Sequence, residues 1–137
     1  MEHATFNSAS QSLLERAGVL GARHHLFVCI GPECCDARAG ETLWEQIKAR
    51  LKGAPVPLMR TKAACLRVCT GGPWLVVYPD GVWYGEMTPE RFERIYQSHI
   101  LNGVPVEPWV VATNPLRAPE CPAGEHAASN AGAGLSA

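Results

Sequence analysis

The chain has 137 residues, 12 basic and 13 acidic side chains, a net charge of −1 and 47% hydrophobic residues. That is enough apolar material to bury one domain's core, so wholesale disorder is excluded. No apolar run approaches the roughly 18 residues needed to cross a bilayer. The balanced charge gives no reason to expect a nucleic-acid or membrane partner, and Glu2 with its short apolar sequel does not read as a secretory leader. Six cysteines stand out. In a chain that otherwise reads as cytoplasmic, thiols stay reduced, and their default use is metal or redox work rather than a disulfide framework.

Three stretches are expected: an N-terminal extension over 1–22, a single folded domain over 23–117 and a disordered tail over 118–137. Ser10 reads as the N-cap of a short helix carrying Leu13 and Leu14. The β-rich apolar run 24–30, ended by Gly31-Pro32, predicts a strand. Residues 41–51 place Leu43, Trp44, Ile47 and Leu51 on one helical face, with Gly53 as the stop. A second strand is expected over 56–61, with Pro57 near its start, followed by a Gly- and Pro-rich loop over 65–73. Segments 74–78 and 82–84 flank Pro79-Asp80-Gly81, a strong hairpin signal. Thr88-Pro89-Glu90 opens a last helix that turns Phe92, Ile95, Tyr96, His99 and Ile100 inward and stops near Asn102-Gly103. The tail is Ala-, Gly-, Ser- and Pro-rich, with Leu135 its one large aliphatic, too little to offset its ordering entropy. The order β-α-β-β-β-α gives an α/β domain: a mixed four-stranded sheet with two main helices, the outline of a thioredoxin-like domain.

Five of the six cysteines fall in two loops just after strands: Cys29, Cys34 and Cys35 in the first, Cys65 and Cys69 in the second. Loops leaving the carboxyl ends of neighbouring parallel strands converge, so the two thiol sets are expected to face one another. A coordination sphere is the natural use of four such thiolates. Structural zinc favours tight C-x2-C pairs. Here the pairs are Cys29-x5-Cys35 (or Cys29-x4-Cys34) and Cys65-x3-Cys69, and neither matches the common bacterial or plant-type ferredoxin runs. Spacing alone leaves zinc and a binuclear iron–sulfur centre both open.

The neighbouring residues add a resemblance. Phe27-Val-Cys29, Cys35 followed nine positions on by Trp44, Cys65-x3-Cys69, Gly72-Pro73 and Val76-Val-Tyr-Pro-Asp-Gly-Val-Trp-Tyr-Gly85 together resemble the thioredoxin-like [2Fe–2S] ferredoxins. The similarity runs from about residue 25 to 108 and includes the Thr88-Pro-Glu helix start and Asn102-Gly-Val-Pro105. It implies Cys29, Cys35, Cys65 and Cys69 as ligands of one [2Fe–2S] cluster per chain, a one-electron carrier serving redox partner proteins, and a homodimer built through the sheet region around Trp83 and Tyr84. The chain departs from the family in its short first loop and its paired Cys34-Cys35. Counting back from Trp44 selects Cys35, leaving Cys34 to pack nearby or stand in as a substitute ligand. Cys121, in the tail, is expected to be an idle thiol.

Reduction adds one negative charge to such a centre, so its surroundings set the potential. Backbone N–H groups of Thr70, Gly71 and Gly72 are candidates to approach the sulfurs; Arg60, Lys62 and Arg67 would favour the reduced form if close, and Glu33 and Asp36 would oppose it. Leu66 and Val68 would form an apolar rim. His24-His25 suggests a mixed ligand set, but a pair of histidines at a strand start is more often ordinary packing. No C-x-x-C opens a helix, and no phosphate loop, dinucleotide fingerprint or Ser/His/Asp arrangement appears, so an enzyme is not expected. The rival readings are a metal-stabilised binding or sensing module, and an electron-entry subunit of a larger oxidoreductase.

Overall fold

The computed structural model describes residues 7–116. In chain order these form α1 (Ser8–Ala17), β1 (His24–Cys29), α2 (Ala37–Lys52), β2 (Leu58–Ala63), β3 (Trp74–Tyr78), β4 (Val82–Tyr84), α3 (Pro89–Ile95) continued by a π turn (Tyr96–Ile100), a 3-10 turn (Glu107–Trp109) and β5 (Val110–Thr113). One sheet of order β2-β1-β3-β4-β5 holds the strands. β1 and β2 are parallel and every other pair is antiparallel, so the sheet is mixed as expected.

Period-two alternation sorts the strands' side chains between two faces. Leu26 and Val28 of β1, Leu75 and Val77 of β3, and Val82 and Tyr84 of β4 meet Leu43, Ile47 and Leu51 of α2 and Phe92 and Ile95 of α3 in one buried core. Each such side chain contributes about 1.5–3 kcal/mol of burial. On the other face Phe27, Val76 and Trp83 stand in register across three strands. Gly40 shows how closely the layers approach: a Cβ there would lie 2.2 Å from the Ile30 carbonyl oxygen.

The structure corrects the expected outline in four places. β2, expected over 56–61, runs Leu58–Ala63, because Pro57 has no N–H for the ladder and lies just before the strand. The sheet has five strands, not four. Val110–Thr113 escaped notice because this short edge strand has three exposed residues of four and so carries no burial alternation. α2 begins at Ala37 rather than 41, because Asp36 is its N-cap and accepts the Ala39 N–H at 3.2 Å. α1 begins at Ser8, capped by Asn7, whose Oδ1 accepts the Ser10 N–H at 2.8 Å, so Ser10 lies inside the helix. Leu13 and Leu14 are exposed, and no α1 side chain is buried. The expected tail and Cys121 lie outside the described residues.

Candidate metal centre

Because β1 and β2 run parallel with Cys29 opposite Ala63, the chain leaves both strands at the same end of the sheet. Trp74, the first residue of β3, stands opposite Cys29 on its other side. Three chain segments thus meet at the carboxyl end of β1, and all five cysteines described lie in or beside them, none in a disulfide.

The first loop turns tightly at Gly31, whose φ of 91° is open to glycine. A Cβ there would also meet the Cys35 carbonyl oxygen at 2.5 Å. This turn brings Cys34 Sγ to 2.7 Å from Cys29 Sγ and lets it donate to the Cys29 carbonyl at 3.5 Å. Cys35 Sγ lies 3.9 Å from Cys34 Sγ. Cys29 and Cys34 are buried, Cys35 is half-buried, and Cys65 and Cys69 are exposed.

In the second loop Arg67 holds a left-handed φ of 70°, a conformation that costs a residue with a Cβ about 1–2 kcal/mol. Its N–H donates to Cys65 Sγ at 3.2 Å. Behind these cysteines the loop is anchored on all sides. Gly72 N–H donates to the Cys34 carbonyl at 2.9 Å, Glu86 N–H to Gly71 at 2.7 Å and Met87 N–H to Pro73 at 3.1 Å. Trp74 Nε1 donates to the Thr70 carbonyl at 2.9 Å. A Cβ on Gly72 would touch Cys34 Sγ at 3.0 Å. The Gly72 N–H, expected to approach a sulfur, is therefore committed to a carbonyl; Arg67 supplies a sulfur donor instead.

The thiols perturb one another. Burial pushes Cys34 up to about 12, with Cys29 next to it adding to the effect. For Cys29 burial acts upward too, but hydrogen bonds from Cys34 and from the Gly31 and Leu66 backbone outweigh it and hold the thiol below its usual range. Cys69 is raised chiefly by Cys65, with burial, Glu33 and Cys29 contributing. Sulfurs of the two loops thus feel each other, and their simultaneous ionisation is opposed. A bound cationic centre removes that opposition, since a coordinating thiol is deprotonated outright.

Curated relatives resemble this chain in sequence. The chain is 33% identical to a 2Fe-2S ferredoxin of Aquifex aeolicus over 98 residues, covering 64% of this chain and 88% of that protein. It is 34% identical to a 2Fe-2S ferredoxin of Clostridium pasteurianum over 96 residues, 62% of this chain and 92% of the relative. The fold agrees: the thioredoxin-like [2Fe-2S] ferredoxin from Aquifex aeolicus superposes with a TM-score of 0.62 at 30% identity, over 73% of this chain and 98% of that one. The chain belongs to the thioredoxin-like [2Fe–2S] ferredoxin family. No protein-family model matches it.

The donor set fits the family's group. Among the described residues no group of three or more His, Cys, Asp or Glu side chains is placed to hold a metal ion. The thiols stand in two sets, Cys29/Cys34/Cys35 and Cys65/Cys69, and thiolates are the ligands that iron–sulfur clusters take. Leu66 and Val68 pack beside Cys29, Cys34 and Trp74 as the expected apolar rim.

Other candidates have different work in this ferredoxin. His25 Nε2 bonds Thr61 Oγ1 at 2.7 Å and its ring stacks on Phe27. His24 lies edge-on to His99 at the far end of β1, so neither histidine joins the thiols. Arg60 and Lys62 lie over the Trp44 ring, at 5.9 and 5.8 Å, and Lys62 also faces Glu41 at 4.0 Å. Tyr84 is core, while half-buried Trp83 packs edge-on to Trp74. Trp74 was legible only as a strand residue; the Gly72-Pro73 before it and Gly85 across from it are the signal, since a Cβ on Gly85 would sit 2.9 Å from the indole.

Proposed function

We propose that this chain is a one-electron carrier, not an enzyme, that binds one [2Fe–2S] cluster through Cys29, Cys35, Cys65 and Cys69 and moves electrons between a reductase and an acceptor enzyme. The observation that carries the reading is the meeting of two thiol sets, about 30 residues apart in sequence, at one end of the sheet. When bound, the cluster supplies a one-electron couple tuned by its hydrogen bonds and exposure.

The chain's own residues set that environment. Backbone N–H groups of Arg67, Gly31 and Leu66 point at sulfur and favour negative charge there. Trp74 and Cys34 close the inner side against water, while exposed Cys65 and Cys69 keep the centre at the surface, within reach of a partner. Cys35 is chosen over Cys34 by its register to α2. The half-buried aromatic face carrying Phe27 and Trp83, which neither α2 nor α3 covers, supports a homodimer built through the sheet. A cytoplasmic location fits five unpaired thiols. Among the described residues no helix is long and apolar enough to cross a membrane.

Electron paramagnetic resonance on anaerobically purified protein tests the reading. The oxidised sample should be silent, and dithionite should raise an S = 1/2 signal of about one spin per chain. Silence in both states, with zinc in place of iron, would overturn it.

A further inference from the structure

A four-thiolate site needs four cysteines, and this one holds five. The extra one is not peripheral. Cys34 Sγ lies 2.7 Å from Cys29 Sγ, where an S–S bond is about 2.05 Å long, so closure needs a shift of less than about 1 Å. Both side chains are buried. The Gly31 turn holds the two ends of the loop together, and the Gly72 N–H fixes the Cys34 carbonyl. The competing pair, Cys34 and Cys35, is farther apart at 3.9 Å, and its sulfurs sit on adjacent residues whose ring closure would distort the intervening peptide.

We propose that Cys29 and Cys34 form a reversible disulfide when the cluster-free chain meets a peroxide oxidant. With hydrogen peroxide as oxidant the step balances. Two S–H bonds and one O–O bond break, one S–S bond forms, the sulfurs lose two electrons to the peroxide, and two waters leave. A dithiol reverses it by exchange. The bond protects Cys29 from oxidation to the irreversible sulfinic acid. Resting on the ligand role proposed for Cys29, it also bars cluster loading until a reductant opens it. Cys34 thus becomes a redox-modification site that the carrier role leaves unused.

The test uses the full-length chain after iron chelation, treated with hydrogen peroxide and cleaved after Glu33, which separates Cys29 from Cys34 and Cys35. Mass spectrometry should find the two fragments joined, about 2 Da lighter than the free thiols, and fragment sequencing should place the bond at Cys34. Cys35→Ser should keep the link. Cys34→Ser should lose it and instead gain about 32 Da at Cys29. A bond joining Cys65 to Cys69 in its place, a link that survives in Cys34→Ser, or equal sulfinic acid in both proteins would overturn the proposal. Reconstitution with ferrous iron and sulfide separates it from the carrier reading. A disulfide that forms and reverses in a chain that never holds iron supports the bond and sinks the carrier; a chain that loads normally and never forms the bond does the opposite.

Discussion

The two ends of β1 treat buried polar groups in opposite ways. At the His24 end, His99 is fully buried, yet both its ring nitrogens are engaged: Nδ1 with Tyr84 Oη at 2.8 Å and Nε2 with Asp80 Oδ2 at 2.7 Å. Val106 N–H donates to the same Tyr84 oxygen at 3.1 Å. One assignment satisfies every member, with Val106 donating to Tyr84, Tyr84 to His99 and His99 to Asp80. At the Cys29 end, thiols crowd together, oppose one another's ionisation and receive backbone donors. The first end is complete and works as a lock between the β3–β4 turn, β4 and the α3 extension. The second keeps its thiols in mutual opposition, with two of them exposed, and that is the mark of a site rather than of a core.

Breaking the second end has the largest effect. Cys65→Ser or Cys69→Ser should abolish the cluster's visible absorbance in reconstituted protein, with the far-ultraviolet circular dichroism unchanged. Cys35→Ser should lose most of that absorbance and Cys34→Ser little; the reverse order would reassign the fourth ligand. Breaking the first end should cost stability and leave colour. His99→Leu removes two hydrogen bonds and orphans the Tyr84 hydroxyl proton, a loss of about 2–3 kcal/mol in urea unfolding. If His99→Leu abolished the visible spectrum in folded protein, the two ends would not be independent. Gly40→Ala, which overpacks α2 against Ile30, should cost about 1–3 kcal/mol by the same measurement.

The smallest effect is a pH slope. Burial holds His24 below the usual imidazole value, with His99 and Arg23 acting in the same direction and Asp80 against. Its Nδ1 is buried without a hydrogen-bond partner among the described residues. In the unfolded chain this imidazole takes up its proton near pH 6.5, so below that pH the unfolded state binds more protons and stability falls. The melting temperature should therefore drop from pH 7 to pH 5. His24→Gln should shrink the drop, and His25, which burial also lowers, contributes to what remains.

How much of this was legible beforehand differs between the ends for the same physical reason. The cysteine end announces itself, because Cys-x3-Cys and Gly-Pro punctuate loops and the hairpin at Pro79-Asp80-Gly81 fixes its own register. The strands at 74–78 and 82–84 were read to the residue. The lock was only half legible. The helical spacing of His99 turned it inward, but its partners Asp80 and Tyr84 come from a turn and a strand whose proximity depends on the whole sheet. β5 was invisible because an exposed edge strand shows no alternation. Asp36 is legible as a charge near the thiols, where burial raises Cys35 and its carboxylate adds to the rise; that the same carboxylate also caps the first turn of α2 is what the sequence pattern hid. Which sulfur of Cys34-Cys35 faces Cys29 was beyond reach, since it depends on the left-handed turn at Gly31.

The parallel pairing of β1 with β2 has a consequence for assembly. The two cysteine loops are neighbours only once α2 has carried the chain back across the sheet and the strands on either side of it have zipped together. That crossover is a non-local contact, formed late relative to helices and hairpins. A nascent chain released before it forms offers iron only the thiols of one loop at a time. Capture of the complete centre therefore follows the pairing of β1 with β2, and the colour of the protein reports that this pairing has formed.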